Sequence, residues 1–480
     1  MKSRILLLLL GTGLAACTDG TGPESEIRGI LLQPSEPITL RAPGDTVRVQ
    51  ARALGPRGET LGTVRVRWSS SASSVATVDG GLVRAVSEGV AAVRAESGSA
   101  AAEVRVVVAP EAGASGGSFE RVGFGQFPDR ATSDLWVFGD YAYTGTYPRA
   151  GCDPSDASSP CGNLLVTWDV RDPSHPRVVD TLGLDAVVVN DVKVAADGSF
   201  AVATHEGSSD QKNGITLLDL SDPAAPSPIV RYTTNLESGV HNVWIERIAE
   251  RDYVFVVADG SLPGGGVHVV DVTDRSRPVE VSHFHAGTSF AHDVYVRDGL
   301  AFVSHWDAGL VVLDVGNGLR GGSPADPVEV SRIVTKGGNV HNAWYWPESG
   351  YVFVGQEQPI APEAPVDSLG VVHVVDVRDL AAPREVATVF APDATPHNFW
   401  VDEEQGVLFV GWYAAGLRAI DVTGELQGRL ETQGRVLAFV RGSGPRGRTS
   451  FWAPQLHRGL VFASDIQHGL WVHRFQREPR

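Results

Sequence analysis

Four histidines recur at similar intervals in the C-terminal part of the sequence. His241, His292, His341 and His397 lie about fifty residues apart, a spacing typical of repeat proteins, and Asn or Asp follows each one. Imidazole nitrogens bind zinc, copper and iron, and a metal with an open coordination position permits Lewis-acid or redox chemistry. In a competing interpretation each imidazole only hydrogen-bonds a neighbouring element. The four histidines are therefore candidate metal ligands, with a scaffold role as the alternative.

A second set of side chains is expected at the same end of the fold. Each lies where the second strand of a repeat ends, and in antiparallel strands this end lies beside the start of the first strand. The set comprises Glu206, Asp259, His305, Glu357, Trp412 and Asp465. Long insertions, from Cys152 to Cys161 and from Gln356 to Gly370, are expected at this end as well. We predict a ligand-binding face here, although the sequence assigns no catalytic residue.

These candidates lie in a repeat of short strands, which must position them. Each repeat has a polar pair leading into apolar and aromatic residues, an apolar second strand, an apolar-Asp-apolar third strand and a fourth strand after a turn. The third strands include Val312-Leu-Asp314-Val and Val374-Val-Asp376-Val, and they resemble LVIVD repeats. Four strands with no room for a crossover helix predict small antiparallel sheets, and radial packing of such sheets is a β-propeller.

Alignment of the first strands predicts seven blades between residues 119 and 476. They begin at Ser133, Asn190, His241, His292, His341, His397 and Thr449. The last blade lacks a fourth strand, so we predict that the strand Phe119–Phe124 completes it and closes the ring. Asp or a similar small polar residue at the second position is expected to fix the loop entering each first strand. The third-strand Asp residues are also expected to be architectural. The aromatic residues at the fourth position, from Trp136 to Trp452, are expected to pack between blades.

The N-terminal part predicts a separate β-sandwich over residues 27–109. Alternation such as Val64-Arg-Val66-Arg-Trp68 places apolar groups on one face of a strand. The order of these segments resembles the bacterial Ig-like group 2 domain, a family of spacers and adhesive modules, and Trp68 is interpreted as a core residue. Residues 110–118 are predicted to be a flexible linker. The fold class is therefore all-β, an Ig-like β-sandwich followed by a seven-bladed β-propeller.

The first residues predict export. Lys2 and Arg4 precede an apolar run too short to span a bilayer. Leu14-Ala15-Ala16-Cys17 resembles the lipobox of bacterial lipoproteins, which implies a signal peptide over residues 1–16, an acylated Cys17 that tethers the chain to the membrane, and a tether over residues 17–26. The absence of Asp after Cys17 favours the outer membrane or cell surface by the same resemblance. Cys152 and Cys161 are predicted to form a disulfide, with metal ligation as the weaker alternative.

Charge restricts the classes of partner. The formal net charge is -17, so a nucleic-acid partner is not expected, because phosphate binding needs a basic face. The favoured interpretation is an envelope-anchored binding or adhesive module for an unknown protein, glycan or small-molecule ligand. The alternative is an exported enzyme that uses zinc, copper or iron at the four histidines, with Glu206 or Glu357 as a base. The sequence establishes no cofactor.

Overall fold

The computed structural model divides the chain into two compact units, residues 1–108 and 109–480. It describes residues 27–35, 37–61, 65–108, 113–149, 152, 161–258, 265–287, 290–358, 370–392 and 394–479. The predicted signal peptide, Cys17 and the tether lie outside these residues. Within them, no helix combines the length and apolar character needed to cross a bilayer.

The first unit consists of nine described strands: β1 (Gly29–Gln33), β2 (Ile38–Leu40), β3 (Thr46–Arg48), β4 (Gln50–Leu54), β5 (Arg67–Ser70), β6 (Ala76–Asp79), β7 (Leu82–Ala85), β8 (Gly89–Ser97) and β9 (Ala100–Val108). A four-stranded sheet has the order β2-β9-β8-β5, a three-stranded sheet has the order β3-β7-β6, and β1 pairs with β4. Both larger sheets contribute to one core, since Val93 and Val106 cluster with Ala76 and Val83. Trp68 is half-buried and packs against this core.

The second unit begins with β10 (Gly117–Gln126), which starts within the predicted linker. Sheet one contains β11 (Ala131–Phe138), β12 (Tyr141–Tyr147), β13 (Leu164–Asp169) and β14 (Arg177–Gly183). Sheet two contains β15 (Val192–Val194), β16 (Phe200–His205), β17 (Gly214–Asp219) and β18 (Ser227–Tyr232). Sheet three contains β19 (Val240–Ile248), β20 (Arg251–Ala258), β21 (Gly266–Asp271) and β22 (Val279–Phe284).

The following sheets continue the pattern. Sheet four contains β23 (Asp293–Arg297), β24 (Leu300–His305), β25 (Gly309–Asp314) and β26 (Val328–Ile333). Sheet five contains β27 (Val340–Trp346), β28 (Tyr351–Gln356), β29 (Val371–Asp376) and β30 (Arg384–Phe390). Sheet six contains β31 (Phe399–Asp402), β32 (Val407–Gly411) and β33 (Leu417–Asp421); β34 (Gly428–Arg429) pairs with β30, and β35 (Val436–Val440) is the fourth strand of sheet six.

The last strands are β36 (Ser443–Gly444) and β37 (Gly447–Arg448), which form a two-stranded ribbon, and β38 (Phe451–His457), β39 (Leu460–Asp465) and β40 (Gly469–Arg477), which belong to sheet seven. Short 3-10 helices lie at Pro347–Ser349 and Leu430–Gln433. The chain is therefore all-β with many small sheets, which is consistent with a propeller.

The apolar core of the second unit lies between consecutive sheets. Because side chains alternate along a strand, neighbouring residues contribute to cores on opposite faces of the same sheet. Val352 of β28 packs towards sheet four, and Phe353 packs towards sheet six. In the described part of the chain each sheet shares a core with the next, and sheet seven shares one with sheet one. Representative pairs are Leu165 and Val192, Val202 and Val254, Phe255 and Ala301, Phe302 and Val352, Phe353 and Leu408, Phe409 and Val461, and Phe462 and Val166.

The N-terminal strand of this unit completes the last sheet. Sheet seven has the order β10-β40-β39-β38, and β10 pairs with β40 from Gly117 opposite Arg477 to Gln126 opposite Gly469. This pairing was predicted from the missing fourth strand. Glycines let β10 approach sheet one closely, because a Cβ at Gly123 would lie 2.1 Å from the Pro173 carbonyl oxygen.

The recurrent aspartates of the third strands hold the turns that follow them. Each carboxylate accepts a hydrogen bond of 2.8 to 3.1 Å from the backbone N–H two residues later, as predicted for an architectural residue. The six are Asp169, Asp219, Asp271, Asp314, Asp376 and Asp421.

The second-position residues act differently from the prediction, because several of them link neighbouring sheets. The Asn242 amide donates to the His292 carbonyl at 2.8 Å, and the Asn342 amide donates to the His397 carbonyl at 3.1 Å. In each case the acceptor belongs to the start of the next sheet.

We predict that Gly123→Val destabilises the protein far more than Gly183→Val. A side chain at Gly123 meets backbone atoms that cannot move aside, whereas a Cβ at Gly183 on β14 meets nothing within 4 Å. We expect a loss of more than about 2 kcal/mol for Gly123→Val, in the range of overpacked sites. Thermal and urea unfolding would measure both variants, and equal stabilities would contradict a tightly enclosed β10.

Candidate functional site

The structure brings the four predicted histidines together. Their rings contact one another in sequence, edge-on or tilted, with centroids 4.5 Å apart between His241 and His292, 4.2 Å between His292 and His341, and 4.3 Å between His341 and His397. We call this row the imidazole arc. It lies at the start of the first strands of sheets three to six.

Two members of the arc are fixed by backbone carbonyl groups of the next sheet. His292 Nδ1 lies 3.1 Å from the His341 carbonyl oxygen, and His397 Nδ1 lies 3.2 Å from the Trp452 carbonyl oxygen. A carbonyl oxygen can only accept, so Nδ1 carries the proton and the lone pair is on Nε2. The scaffold interpretation therefore holds for one nitrogen of each ring, and the other nitrogen can still act as a ligand.

Burial keeps three members of the arc, His292, His341 and His397, uncharged at neutral pH. It lowers the pKa of His292 and of His397 well below 6.5, and the adjacent imidazoles lower both further. Burial also lowers the pKa of His341, whose side chain is 1% exposed. Neutral imidazole is the form that binds metals.

Two of the predicted carboxylates lie against the arc. Glu206 Oε1 is 2.7 Å from His241 Nδ1, and Glu357 Oε2 is 3.6 Å from His341 Nε2. The hydroxyl of Tyr413 donates to Glu357 Oε1 at 2.6 Å. Both glutamates are half-buried, so the arc has negatively charged groups between it and solvent.

Three other predicted face residues make hydrogen bonds with the scaffold. His305 Nε2 accepts from the backbone N–H of Ala286 at 3.0 Å, and the Trp412 indole donates to the Ala394 carbonyl at 2.8 Å. Asp465 accepts from the Trp471 indole at 2.9 Å. His305 and Asp465 end their second strands, and Trp412 directly follows its own. Their side chains have scaffold partners, and a role for them in a ligand-binding face stays a prediction. Asp259 lies outside the described residues.

Trp306 and Tyr413, one position after His305 and Trp412, lie beside the arc. The Trp306 ring lies 5.3 Å from that of His292, and the Tyr413 ring lies 4.9 Å from that of His397. Both backbones have positive φ, 37° for Trp306 and 40° for Tyr413, which is rare for a bulky residue. Phe290 stacks on Trp306 with centroids 4.9 Å apart. Their positions match those of Glu206 and Glu357 in the repeat, a signal that the sequence alignment missed.

The first position of sheet seven is Trp452, not Thr449. Gln455 opposes Phe462 as Trp400 opposes Phe409 in sheet six, and a bulge precedes Pro454. Gln455 rather than Trp452 is therefore the fourth position, and the predicted alignment of this sheet is off by three residues. The Trp452 ring packs 4.2 Å from His397 and extends the arc.

The fourth-position aromatic residues pack between neighbouring sheets, as predicted: ring centroids are 4.6 Å apart for Trp244 and Tyr295, and 5.0 Å apart for Tyr295 and Trp344 and for Trp344 and Trp400. In addition, Trp136 of sheet one contacts Trp244 of sheet three at 5.9 Å and Trp400 of sheet six at 6.1 Å, so these rings also meet across a space that several sheets surround. The column lines a cavity together with Lys193 and Gln455. Side chains of the first strands therefore point inward.

Among the described residues that line this cavity, the one cation, Lys193, is paired there with two carboxylates. Lys193 Nζ donates to Asp134 Oδ2 at 3.0 Å and also to Asp191 Oδ1, and it lies 5.4 Å from the Trp136 ring centre. Burial raises the pKa of Asp191 to about 8. Burial acts in the same direction on Asp134, but Lys193 and hydrogen bonds outweigh it and lower the pKa of that group. The protonated form is therefore favoured for Asp191 and the ionised form for Asp134, although both side chains bind the same ammonium group.

Comparison with known proteins supports the repeat. The LVIVD repeat family matches residues 129–146, 209–234 and 290–335. The matched segments include the first strand of sheet one and the His292 region. No curated protein matches the chain.

Replacement of Lys193 by Ala should cost about 3–5 kcal/mol of stability, because it leaves two buried carboxylates without their cation. Without the cation, burial raises the pKa of both acids above the unfolded value near 3.9. The folded state then binds more protons than the unfolded state, so stability falls as pH rises. The deficit of the variant should therefore be smaller at pH 5 than at pH 8.

Urea unfolding at both pH values would measure this deficit, with the exposed Lys212→Ala as the control. The control should stay within about 0.5 kcal/mol of the original protein. A deficit that is small, or that grows towards low pH, would show that Lys193 does not hold the two acids.

Proposed function

We propose that this protein is an exported lipoprotein whose seven-bladed β-propeller binds a partner at the axial mouth formed by the imidazole arc. The proposal rests on one observation: the residues that differ from sheet to sheet are concentrated at that mouth. The third-strand Asp recurs in six sheets and makes the same scaffold hydrogen bond, whereas the first position and the residue after the second strand differ between sheets.

A propeller accounts for the packing of the second unit. Each sheet shares a core with the next one, including sheet seven with sheet one, and the aromatic contacts across the cavity require first strands that surround a common axis. The Gln455 amide donates to the Val137 carbonyl at 2.9 Å and accepts from the same residue's N–H at 2.6 Å. These bonds join sheet seven to sheet one beside the axis, as closure of the ring requires.

The first unit fits an Ig-like domain that acts as a spacer. Its two larger sheets bury their apolar faces in one core, as in a β-sandwich, and the sequence resemblance covers residues 27–109. We propose that Cys17 carries the lipid and that the Ig-like domain holds the propeller away from the outer membrane. The described disulfide, Cys152–Cys161, agrees with an oxidising compartment.

The chemistry of the mouth favours recognition by aromatic and hydrogen-bonding contacts. Trp306, Phe290 and Tyr413 are half-buried and present ring faces and edges. Glu206 and Glu357 add acceptors, and the negative charge of the chain favours a partner with cationic or donor groups. An exported metal-dependent enzyme is the second candidate, because ligand atoms of His292, His341 and Glu357 lie within 4.8 Å of one another.

The tether predicts the behaviour of Cys17→Ala. The original protein should fractionate with the outer membrane, and mass spectrometry of its N-terminal peptide should show an acylated Cys17. The variant should lack the acyl group and leave the membrane fraction or accumulate as precursor. An original protein with an unmodified Cys17 would refute the lipoprotein proposal.

The mouth predicts where a partner can be crosslinked in intact cells. Photo-reactive residues at the exposed positions Ser238 and Asp307, beside His241 and Trp306, should give discrete adducts by immunoblotting. The same residue at Ser174 or Ser276, which lie in exposed turns at the opposite end of the sheets, should give none. Equal labelling at both ends, or no adduct at the mouth, would count against recognition there.

A further inference from the structure

We infer that His292, His341 and Glu357 bind a single divalent transition metal ion, with Zn²⁺ as the best match, at the centre of the mouth. The inference deepens the proposed function, on which it rests for its location. It adds the chemical class of a ligand that the residues themselves can hold.

The distances are close to those of a metal site. The three ligand atoms lie within 4.8 Å of one another, and the contact from His341 Nε2 to Glu357 Oε2 is 3.6 Å. Ligands about 2.1 Å from a tetrahedral ion are about 3.4 Å apart. Small side-chain rotations therefore suffice to close the site, and no strand has to move.

The second observation is that His341 is buried without a hydrogen bond of normal geometry. Neither of its ring nitrogens has such a partner among the described residues. The Asn342 side chain is close enough to influence the ring, but its amide donates to the His397 carbonyl, and its oxygen also has no partner in the described part of the chain. Buried imidazoles normally have a partner for at least one nitrogen. A metal ion on one nitrogen of His341 supplies it.

Groups around the ligands are arranged as in known metal sites. The Nδ1–H of His292 donates to the His341 carbonyl, which fixes the ring with Nε2 free. Tyr413 donates to the other oxygen of Glu357. Partners of this kind orient the ligands, and the carbonyl acceptor also raises the basicity of the His292 imidazole. Tyr413 is thus a positioning residue.

The donor set favours transition metals. Two imidazoles and one carboxylate suit Zn²⁺ and Fe²⁺, whereas Ca²⁺ and Mg²⁺ prefer oxygen ligands. Three protein ligands leave a coordination position for solvent or for a donor atom of the partner. His241 and His397 flank the ligands in the arc and form the walls of the site.

Metal binding can be measured on the full mature protein after treatment with a chelator. Calorimetric titration with ZnCl₂ should show one ion per chain, and CoCl₂ should give the visible absorption of a low-coordinate Co²⁺ centre. Glu357→Gln and His341→Gln should each weaken zinc binding at least about 10-fold, since even loss of an outer-shell partner has that effect. Glu357→Gln keeps an acceptor for Tyr413, so the fold should be retained, as circular dichroism would verify.

His373→Gln is the matched control. His373 is also buried and has a carboxylate partner, Glu385, at 3.1 Å, but it lies on β29 outside the arc. Its replacement should leave zinc binding unchanged. Folded protein that takes up no stoichiometric zinc, or equal affinity in Glu357→Gln and the original protein, would overturn the inference.

The two proposals fail in different ways. Crosslinked adducts at the mouth without zinc binding would overturn the metal site alone. Stoichiometric zinc binding that depends on Glu357, without adducts at Asp307 or Ser238, would support the metal site and overturn the crosslinkable partner.

Discussion

The pairing of β10 with β40 is the constraint on which the rest of the second unit depends. It joins Gly117 to Arg477 across almost the whole length of that unit, and it removes an unpaired edge from sheet seven. The strand also packs against sheet one, where Gly123 and Gly125 approach the turn after β13. In the proposed propeller this contact closes the ring, and closure sets the distance between the first strands. The imidazole arc therefore depends on a strand far from it in sequence.

Sequence reasoning found the repeat and the four histidines, because both depend on periodicity. It did not find Trp306 and Tyr413, because a shift of one residue changes the face of a strand. The preceding residues His305 and Trp412, which were predicted for the face, make scaffold hydrogen bonds, whereas Trp306 and Tyr413 contact the arc. The three-residue error in sheet seven has a different origin: the ribbon β36–β37 lies directly before β38, and the spacing of the repeat does not show where this extra segment ends.

The inward direction of the first-strand side chains also could not be predicted from composition. An aromatic column is compatible with packing between sheets and with filling an axis, and the structure shows both: Tyr295 contacts Trp244 and Trp344 of the neighbouring sheets, and Trp136 contacts Trp244 and Trp400 across the cavity. The consequence is a layered interior. The uncharged imidazoles of His292, His341 and His397 lie at the mouth, and Lys193 is enclosed by Asp134 and Asp191 beneath them. The charge of Lys193 is thus compensated, which limits the cost of burying it.

The positive φ angles of Trp306 and Tyr413 indicate that the mouth is a site and not only part of the scaffold. A positive φ costs a bulky residue about 1–3 kcal/mol. Both residues form backbone hydrogen bonds with the next sheet: the Trp306 carbonyl accepts from Val340 N–H at 3.1 Å, and Tyr413 N–H donates to the Phe451 carbonyl at 3.0 Å. Glycine could make the same backbone bonds without this strain. The aromatic side chains must therefore be explained by what they contact, which is the imidazole arc and, for Tyr413, Glu357.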